Sequence, residues 1–353
     1  MSGFLNSRYD GFEAYVPGEQ PQDKKYIKLN TNESPYPPSP LVAERVKLAA
    51  GALNLYSDPE SAALRKKAAE LLGLWPECIL PVNGSDEALN FAFMAFCGKD
   101  APVAYPEISY GFYSVLARLH GIPAEEIPVK ADFSIDCRDF AGLGKTIAIA
   151  NPNAPTGLTL SLDELRTIVE SNPGNVVLID EAYIRFGGES AVPLVKEYPN
   201  LLVVHTFSKS HSLAGARLGF AIGSPALIAD LNMIKYSTNP YNVNRMTSAA
   251  GVAAMEDEYY YEANCRRVAA TRDALKERLR WAGYDLTDSR ANFLFVRCPG
   301  VSGAELYAGL RQRGVLVRHF GNPRITDYLR VSIGTPQDMD AFFAAAEEVR
   351  NGR

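Results

Sequence analysis

The sequence has no surplus of basic residues: 36 Lys and Arg stand against 41 Asp and Glu, giving a formal net charge of −5. Proteins that bind nucleic acid or an anionic membrane as their main partner use basic side chains to neutralise phosphates. The charge balance therefore argues against both kinds of partner. No apolar run approaches the roughly 20 residues that a membrane helix needs, and the first 15 residues lack the pattern of a secretory signal.

Cysteine and histidine are scarce. The five cysteines lie far apart and show no CxxC spacing, which favours free thiols in a reducing cytoplasm over a disulfide framework. The four histidines show no spacing typical of a metal site, so no metal is expected. A nucleotide enzyme of the P-loop class would need a GxxxxGK[ST] loop, and the chain has none.

What is present is a chain of ordinary globular composition, with 47% hydrophobic and 22% charged residues over 353 positions. This length favours two domains. Residues 1–30 are predicted to form an arm with little regular structure. Residues 31–240 alternate strand and helix patterns, which predicts an α/β domain whose mostly parallel sheet is covered by helices on both faces. Residues 241–353 show the pattern of a smaller α+β domain.

The segment between two predicted strands, Val203–Phe207 and Leu218–Ile222, is rich in small polar residues and contains Lys209. Loops at strand ends commonly present reactive groups. A lysine there could form a Schiff base with an aldehyde cofactor, its amine kept partly neutral by burial and by a nearby cation such as Arg217. The alternative is an ordinary solvated loop lysine, which describes most lysines.

Two further strand ends carry polar residues. Gly84, Ser85 and Asp86 follow the predicted strand Ile79–Val82 and open a predicted helix, where free N–H groups and the helix dipole favour an anion. Helix capping without a ligand is the commoner reason for such a sequence. Asp180 follows an unbroken apolar run, at the end of the strand where open α/β sheets bind ligands. Its alternatives are a helix cap or a magnesium carboxylate.

Taken together, the loops offer amides for a phosphate, a buried anion, a reactive amine and a cation. This set fits pyridoxal 5′-phosphate, whose pyridine nitrogen needs a carboxylate and whose aldehyde needs a lysine. A protonated pyridine ring withdraws electrons from the α-carbon of a bound amino substrate, so that a proton can be removed there.

Three motifs, NPNAPTG at residues 151–157, DEAY at 180–183 and SKSHSLAGAR at 208–217, occur in an order and spacing that resemble the fold-type I aminotransferases. The resemblance covers nearly the whole chain. It implies an aspartate-aminotransferase-like, seven-stranded sheet sandwiched by helices, with a smaller C-terminal domain. It also implies that Lys209 is the Schiff-base lysine and acid/base, that Asp180 pairs with the pyridine nitrogen, and that Tyr183 bonds the phenolic oxygen.

The same resemblance assigns the remaining cofactor contacts. The cofactor phosphate is expected to contact Gly84, Ser85, Asp86, Thr206, Ser208 and Arg217, and Tyr110 is expected to stack on the ring. One position departs from the family pattern, in which Asn directly precedes Pro-Thr-Gly and touches the phenolic oxygen. Here Ala154 occupies that place. Either Asn153 covers the role or the contact is lost, and Asn153 is the residue we expect.

Within the superfamily, the chain is similar to the histidinol-phosphate aminotransferase family. The motifs that carry this likeness are YVPG at residues 15–18, LNTNESPY at 29–36, YSDP at 56–59, GSDE at 84–87 and LRVSIG at 329–334. The similarity implies that Arg330 clamps the substrate carboxylate, a bidentate role that suits arginine, and that Arg318 faces the substrate phosphate. Tyr15 and Asn32 are also expected to contact substrate. Without the resemblance, Arg330 could equally be a surface strand arginine.

The similarity further implies a homodimer, because Tyr56 would reach the cofactor phosphate of the neighbouring subunit. The implied reaction exchanges an amino group between glutamate and an imidazole-bearing phosphorylated ketone. The alternatives on the same scaffold are an aromatic amino-acid aminotransferase and a threonine-phosphate decarboxylase. A regulatory cofactor-binding module would need an added DNA-binding domain of about 60 residues, for which the chain has no room. A structural α/β protein with a chance lysine is the remaining alternative.

Overall fold

The computed structural model describes residues 3–352 and contains two main β-sheets. Seven strands form the larger sheet. They are β2 (Ile79–Val82), β3 (Val103–Pro106), β4 (Ala124–Ile127), β5 (Thr146–Ala150), β6 (Val177–Asp180), β7 (Leu201–Thr206) and β8 (Gly219–Gly223).

The strand order in this sheet is β2-β8-β7-β6-β5-β3-β4. Strand β8 pairs antiparallel with β2 and with β7, and the other neighbours are parallel. Strands β5 and β6 are buried along their whole length, because helices cover both faces of the sheet. The prediction of a mostly parallel seven-stranded sheet sandwiched by helices is confirmed.

In the part of the chain that the structure describes, ten α-helices surround the two sheets. They are α1 (Pro40–Ala49), α2 (Ala62–Leu72), α3 (Ser85–Phe96), α4 (Phe112–His120), α5 (Leu162–Glu170), α6 (Pro225–Thr238), α7 (Arg245–Glu256), α8 (Glu258–Trp281), α9 (Gly303–Gln312) and α10 (Pro336–Arg350). One hydrophobic cluster joins the larger sheet to α1, α2, α5 and α7. A second cluster, on the opposite face, contains residues of α3, α4 and α6.

The smaller sheet is antiparallel, with the order β12-β13-β10-β9. Its strands are β9 (Asp285–Leu286), β10 (Phe293–Arg297), β12 (Arg318–His319) and β13 (Tyr328–Ser332). Helices α8, α9 and α10 pack on it around a third hydrophobic cluster. This arrangement agrees with the predicted smaller α+β part of the chain.

The N-terminal arm joins this smaller part of the molecule. Strand β1 (Ile27–Lys28) pairs in parallel with β11 (Val315–Leu316), so the two ends of the sequence meet in one short sheet. The sequence pattern gave no sign of this pairing. No helix within residues 3–352 has both the length and the apolar character needed to cross a membrane.

Helix starts show where local sequence rules held and where they did not. Ser161 and Glu164, with the three-residue spacing of a capping box, form one at the start of α5. At the start of α3, by contrast, Gly84 is the N-cap residue and no side chain caps the helix. Gly84 has φ +80°, a left-handed backbone that favours glycine. The first N–H groups of α3 are therefore left for another acceptor.

Candidate active site

A cavity of about 190 Å³ lies at the carboxyl ends of β5, β6 and β7, facing the smaller sheet and the arm. Thirteen of the side chains predicted from the sequence line it. They are Tyr15, Asn32, Ser85, Asp86, Tyr110, Asp180, Tyr183, Thr206, Ser208, Lys209, Arg217, Arg318 and Arg330. Residues separated by more than 300 positions in the chain therefore meet in one place.

Lys209 projects its amine into this cavity. Its Nζ donates a hydrogen bond to the Thr31 carbonyl oxygen at 2.9 Å. Removal from water, together with the positive charge of Arg330, lowers the pKa of Lys209 to about 8. A substantial fraction of the amine is therefore neutral near physiological pH, which is the form that attacks an aldehyde.

Asp180 is the last residue of β6 and is only 3% exposed. Its carboxylate accepts hydrogen bonds from the Tyr113 hydroxyl at 3.3 Å and from the Ala182 backbone N–H at 3.1 Å. Burial raises the pKa of Asp180 to about 7, against the effect of these hydrogen bonds. A buried carboxyl of this kind is oriented and ready to pair with a cationic partner.

Arg217 lies at the opposite end of the cavity, close to the start of α3. Its Nη1 donates to Ser208 Oγ at 3.3 Å and its Nη2 donates to Asp86 Oδ2 at 3.2 Å. A Cβ on Gly84 would lie 2.4 Å from Arg217 Nη2, so only glycine allows the guanidinium to approach. Ser85 and Thr206 add hydroxyl groups nearby. Guanidinium, hydroxyl and helix N-terminus form an anion cradle.

Tyr183 is held by an amide that comes from the arm side of the cavity. Asn32 Nδ2 donates to the Tyr183 hydroxyl oxygen at 3.0 Å, and Asn32 Oδ1 accepts from Ser332 Oγ at 2.9 Å. Asn32 has φ +56°, a left-handed conformation that asparagine tolerates better than most residues. The phenol of Tyr183 is thus oriented by residues from both ends of the chain.

Two arginines enter the cavity from the smaller sheet. Arg330 Nη2 donates to the Asn30 carbonyl oxygen at 3.1 Å, while its buried Nε has no partner among the described residues. Arg318 donates to the carbonyl oxygens of Val16 and Pro17, at 2.9 and 3.2 Å. Arg318 therefore also holds the arm against the cavity.

The arm covers one side of the cavity with an aromatic ring. Tyr15 packs edge-on against Tyr110 and Phe112, with ring centroids 6.3 and 5.7 Å apart. The Tyr110 hydroxyl donates to Asp86 Oδ1 at 3.0 Å. Tyr15 and Arg318 thus fix the arm where substrate would enter.

Three predicted contact residues do not line the cavity. Gly84 lies behind Arg217, as described above. Asn153 is 1% exposed, and its Nδ2 donates to the Ile108 carbonyl oxygen and to Thr156 Oγ1. Ala154 lines the cavity instead. Tyr56 is 79% exposed and stacks on Tyr241, with centroids 4.5 Å apart.

The structure also adds residues that the sequence did not single out. Tyr113 holds Asp180 from the first turn of α4. Its position three residues after Tyr110 was a signal that could have been used. Thr31 offers only its backbone carbonyl oxygen to Lys209, so its side chain could not have revealed the contact. Asn30 lines the cavity, and its buried Oδ1 has no partner among the described residues.

Cations outnumber acids in the cavity: Lys209, Arg217, Arg318 and Arg330 face Asp86 and Asp180. The walls therefore suit a ligand set with several negative charges. Pyridoxal 5′-phosphate fits this arrangement, because the cavity walls offer an anion cradle, a buried carboxyl and an amine of depressed pKa. No group of three or more His, Cys, Asp or Glu side chains within residues 3–352 is arranged to hold a metal ion.

Comparison with known proteins agrees with this chemistry. Residues 24–345 match the family model of aminotransferase class I and II. The histidinol-phosphate aminotransferase of Brachyspira hyodysenteriae is 48% identical over 344 residues, which are 97% of each chain. That of Clostridium acetobutylicum is 46% identical over 349 residues, which are 99% of each chain.

Solved structures show the same architecture. Histidinol-phosphate aminotransferase from Sinorhizobium meliloti, determined in complex with pyridoxal 5′-phosphate, has a TM-score of 0.83 at 25% identity and covers 93% of this chain and 92% of its own. Aspartate aminotransferase from Thermotoga maritima has a TM-score of 0.82 at 21% identity, covers 93% of this chain and 92% of its own, and shows the shared fold. The predicted fold, enzyme class and cofactor are thereby confirmed. The chain belongs to the class I and II aminotransferase family, as a pyridoxal 5′-phosphate-dependent enzyme.

Proposed function

We propose that this enzyme interconverts histidinol phosphate and 2-oxoglutarate with imidazole-acetol phosphate and glutamate, a step of histidine biosynthesis. The observation that carries the proposal is that Arg318 and Arg330 face the same cavity as Lys209. Once Arg217 holds the cofactor phosphate, two arginines remain for substrate anions. Glutamate carries two carboxylates, and the imidazole substrate carries a phosphate.

Pyridoxal 5′-phosphate supplies an electron-withdrawing ring that makes proton removal from the substrate α-carbon feasible. Side chains of the protein carry out the remaining steps. Lys209 Nζ, with its pKa lowered to about 8, takes that proton and returns it as the general acid/base. Asp180 provides the buried negative charge that pairs with the pyridine nitrogen, with Tyr113 and Ala182 holding its carboxylate in place.

The residues on the arm side of the cavity bind and orient the substrate. Arg330, whose buried Nε has no partner within residues 3–352, binds the substrate carboxylate. Arg318 uses two of its five N–H donors on the arm, which leaves donors for a phosphate. Tyr15 and Asn32 complete the contacts, and Tyr183 bonds the phenolic oxygen of the cofactor. With Ala154 unable to supply an amide there, we assign the support of Tyr183 to Asn32.

An amino-acceptor comparison tests the substrate. With glutamate as donor, we expect kcat/KM for imidazole-acetol phosphate to exceed that for phenylpyruvate. In Arg318→Gln the phosphorylated acceptor should lose about 10- to 100-fold in kcat/KM, since a charge-assisted hydrogen bond contributes about 1.5–3 kcal/mol. Phenylpyruvate, which lacks the phosphate, should lose little. Equal losses for both acceptors, or a preference for phenylpyruvate in the unchanged enzyme, would contradict the assignment and favour an aromatic amino-acid aminotransferase.

We also propose that the enzyme works as a homodimer in the cytoplasm, the compartment that suits its five free thiols. An exposed apolar patch supports the dimer. It consists of Leu48, Leu53, Leu55, Tyr56, Tyr236 and Tyr241, each at least 42% exposed. Tyr56 and Tyr241 stack on one another, with ring centroids 4.5 Å apart, and exposed apolar patches commonly mark protein interfaces. A second copy seated there would bring Tyr56 to the cofactor phosphate of its neighbour.

A charge placed in the patch tests the dimer. Leu55 is 60% exposed, so Leu55→Asp costs little in the isolated chain but would bury a carboxylate in an interface. We expect light scattering to report one-chain mass for Leu55→Asp and two-chain mass for the unchanged protein. Trp281→Asp is the matched control, because Trp281 is 96% exposed and lies outside the patch. A two-chain mass for Leu55→Asp would overturn the proposed surface.

A further inference from the structure

The segment that carries Lys209 has little backbone bonding of its own. Its two ends are closed by bonds from Leu213 N to Phe207 O at 3.0 Å and from Phe207 N to Leu218 O at 2.9 Å. Within residues 3–352, the backbone of Lys209 takes part in one bond, from Ser212 N at 3.4 Å. A segment held so weakly needs side-chain contacts to keep the lysine in one orientation.

The imidazole of His211 supplies such contacts from the side of the segment opposite the cavity. Ser210 Oγ lies 2.9 Å from His211 Nδ1, and His211 Nε2 lies 3.0 Å from Glu258 Oε1. Because Nε2 faces a carboxylate, it carries the ring proton, and Nδ1 accepts the hydrogen of the Ser210 hydroxyl. The ring also stacks on Phe207, with centroids 3.7 Å apart.

The other end of this network reaches two further elements. Glu258 is the first residue of α8, and its Oε2 accepts from Arg185 Nη2 at 2.6 Å. Arg185 lies two residues after Tyr183. The bonds therefore tie the Lys209 segment both to the turn that follows Tyr183 and to the long helix that leads into the smaller sheet.

At neutral pH, His211 and Glu258 are both in the protonation states that these hydrogen bonds require. Burial lowers the pKa of His211, so its ring is neutral. Burial alone would raise the pKa of Glu258, but the hydrogen bonds from His211 and Arg185 lower it. The network borders a second cavity of about 220 Å³, also lined by His205 and Glu262.

We propose that His211 is a positioning residue for Lys209. Its ring bonds Ser210, next to Lys209, and through Glu258 and Arg185 it links the Lys209 segment to the turn that follows Tyr183. This inference rests on the proposed role of Lys209. It predicts that breaking the two hydrogen bonds of the ring slows the chemistry of the lysine amine without unfolding the protein.

The variant His211→Phe tests it, because phenylalanine keeps the stack on Phe207 and removes both hydrogen bonds. Pyridoxal 5′-phosphate is added to the cofactor-stripped protein, borohydride is added at intervals, and mass spectrometry counts the label at position 209. In this reaction the amine nitrogen bonds the aldehyde carbon, water leaves, and hydride reduces the C=N bond. We expect labelling of His211→Phe to be about tenfold slower, from a loss of one to two hydrogen bonds.

Three further variants separate positioning from general damage. His211→Asn places an amide oxygen near the position of Nδ1 and should recover part of the rate by keeping the Ser210 bond. Glu258→Gln should slow labelling, whereas Glu262→Gln is the matched control at the same cavity and should not. A thermal unfolding midpoint measured for each variant shows whether the fold is intact.

The outcomes distinguish this inference from the proposed function. If the unchanged protein takes no label at position 209, the role of Lys209 fails. If it takes the label and His211→Phe reacts at the same rate, only the positioning role fails. Equal slowing in Glu258→Gln and Glu262→Gln, or slowing that simply follows the unfolding midpoint, would also overturn it.

Discussion

Replacing Lys209 by methionine is expected to lower turnover by about 10⁴-fold or more, the upper range for a positioned acid/base group. The reason is that, among the described residues, no other lysine lines the cavity, so no other side-chain amine could replace that of Lys209. Turnover is measured with glutamate and imidazole-acetol phosphate. The matched control is Lys235→Met, since Lys235 is also a buried lysine of lowered pKa but lies outside the cavity. Comparable losses in both variants would contradict the assignment.

The same variant should make the cofactor-free protein more stable. Because the folded pKa of Lys209 is about 8 and its ordinary value is 10.5, the unfolded chain binds more protons between these pH values. Stability of the unchanged protein therefore rises with pH across this window. Lys209→Met removes that dependence, and its advantage should be largest below pH 8. Urea unfolding at pH 7 and pH 10 measures the difference.

Replacing Asp180 by asparagine is expected to lower kcat by about 10³-fold, equivalent to about 4 kcal/mol, because a buried ionic partner is lost while the shape is kept. Cofactor affinity should fall as well. The measurements are turnover and equilibrium dialysis of pyridoxal 5′-phosphate. Asp163→Asn is the control, since Asp163 lies in the first turn of α5 with an almost fully exposed side chain. A loss of less than tenfold at Asp180 would remove it from the catalytic set.

The Asp180→Asn variant should be more stable than the unchanged protein in the absence of cofactor, although its activity is lower. The folded pKa of Asp180, about 7, lies above the ordinary value of 3.8, so the folded chain holds a proton that the unfolded chain releases. Stability of the cofactor-free protein therefore falls as pH rises from about 4 to 7. Asp180→Asn should gain about 1–3 kcal/mol at pH 8, where the buried carboxylate costs most. A loss of stability at pH 8 would show that the carboxyl is ionised at little cost.

Much of the fold followed from local sequence patterns. Strand β2, for example, has the bounds that its apolar run predicted. The two-residue strands β9 and β12 were not predicted, because so short a strand carries no periodicity of its own. The antiparallel direction of β8 was also beyond local reasoning, since strand direction is set by the path of the chain.

Some features of the candidate site could be predicted from the sequence in the same way, and others could not. Asp180 was predictable because it ends a strand, at the edge where parallel sheets gather polar side chains. Lys209 and Arg217 were predictable because they lie in the polar segment that connects β7 and β8. The burial of the Asn153 amide was not, because one of its partners, the Ile108 carbonyl oxygen, lies on a different loop, 45 residues away. The contacts of Asn32 with Tyr183 and Ser332 span up to 300 residues, a separation that only the folded chain brings together.

The pairing of β1 with β11 sets an order for assembly during synthesis on the ribosome. Residues 27–28 cannot find their partner strand until residues 315–316 have left the exit tunnel. Tyr15, Asn30 and Asn32 lie on either side of β1 in the sequence and line the arm side of the cavity. A nascent chain can therefore form the larger sheet, with Lys209 in place, before the arm side of the cavity is formed. The arm side of the pocket is therefore completed only after β11 has been synthesised.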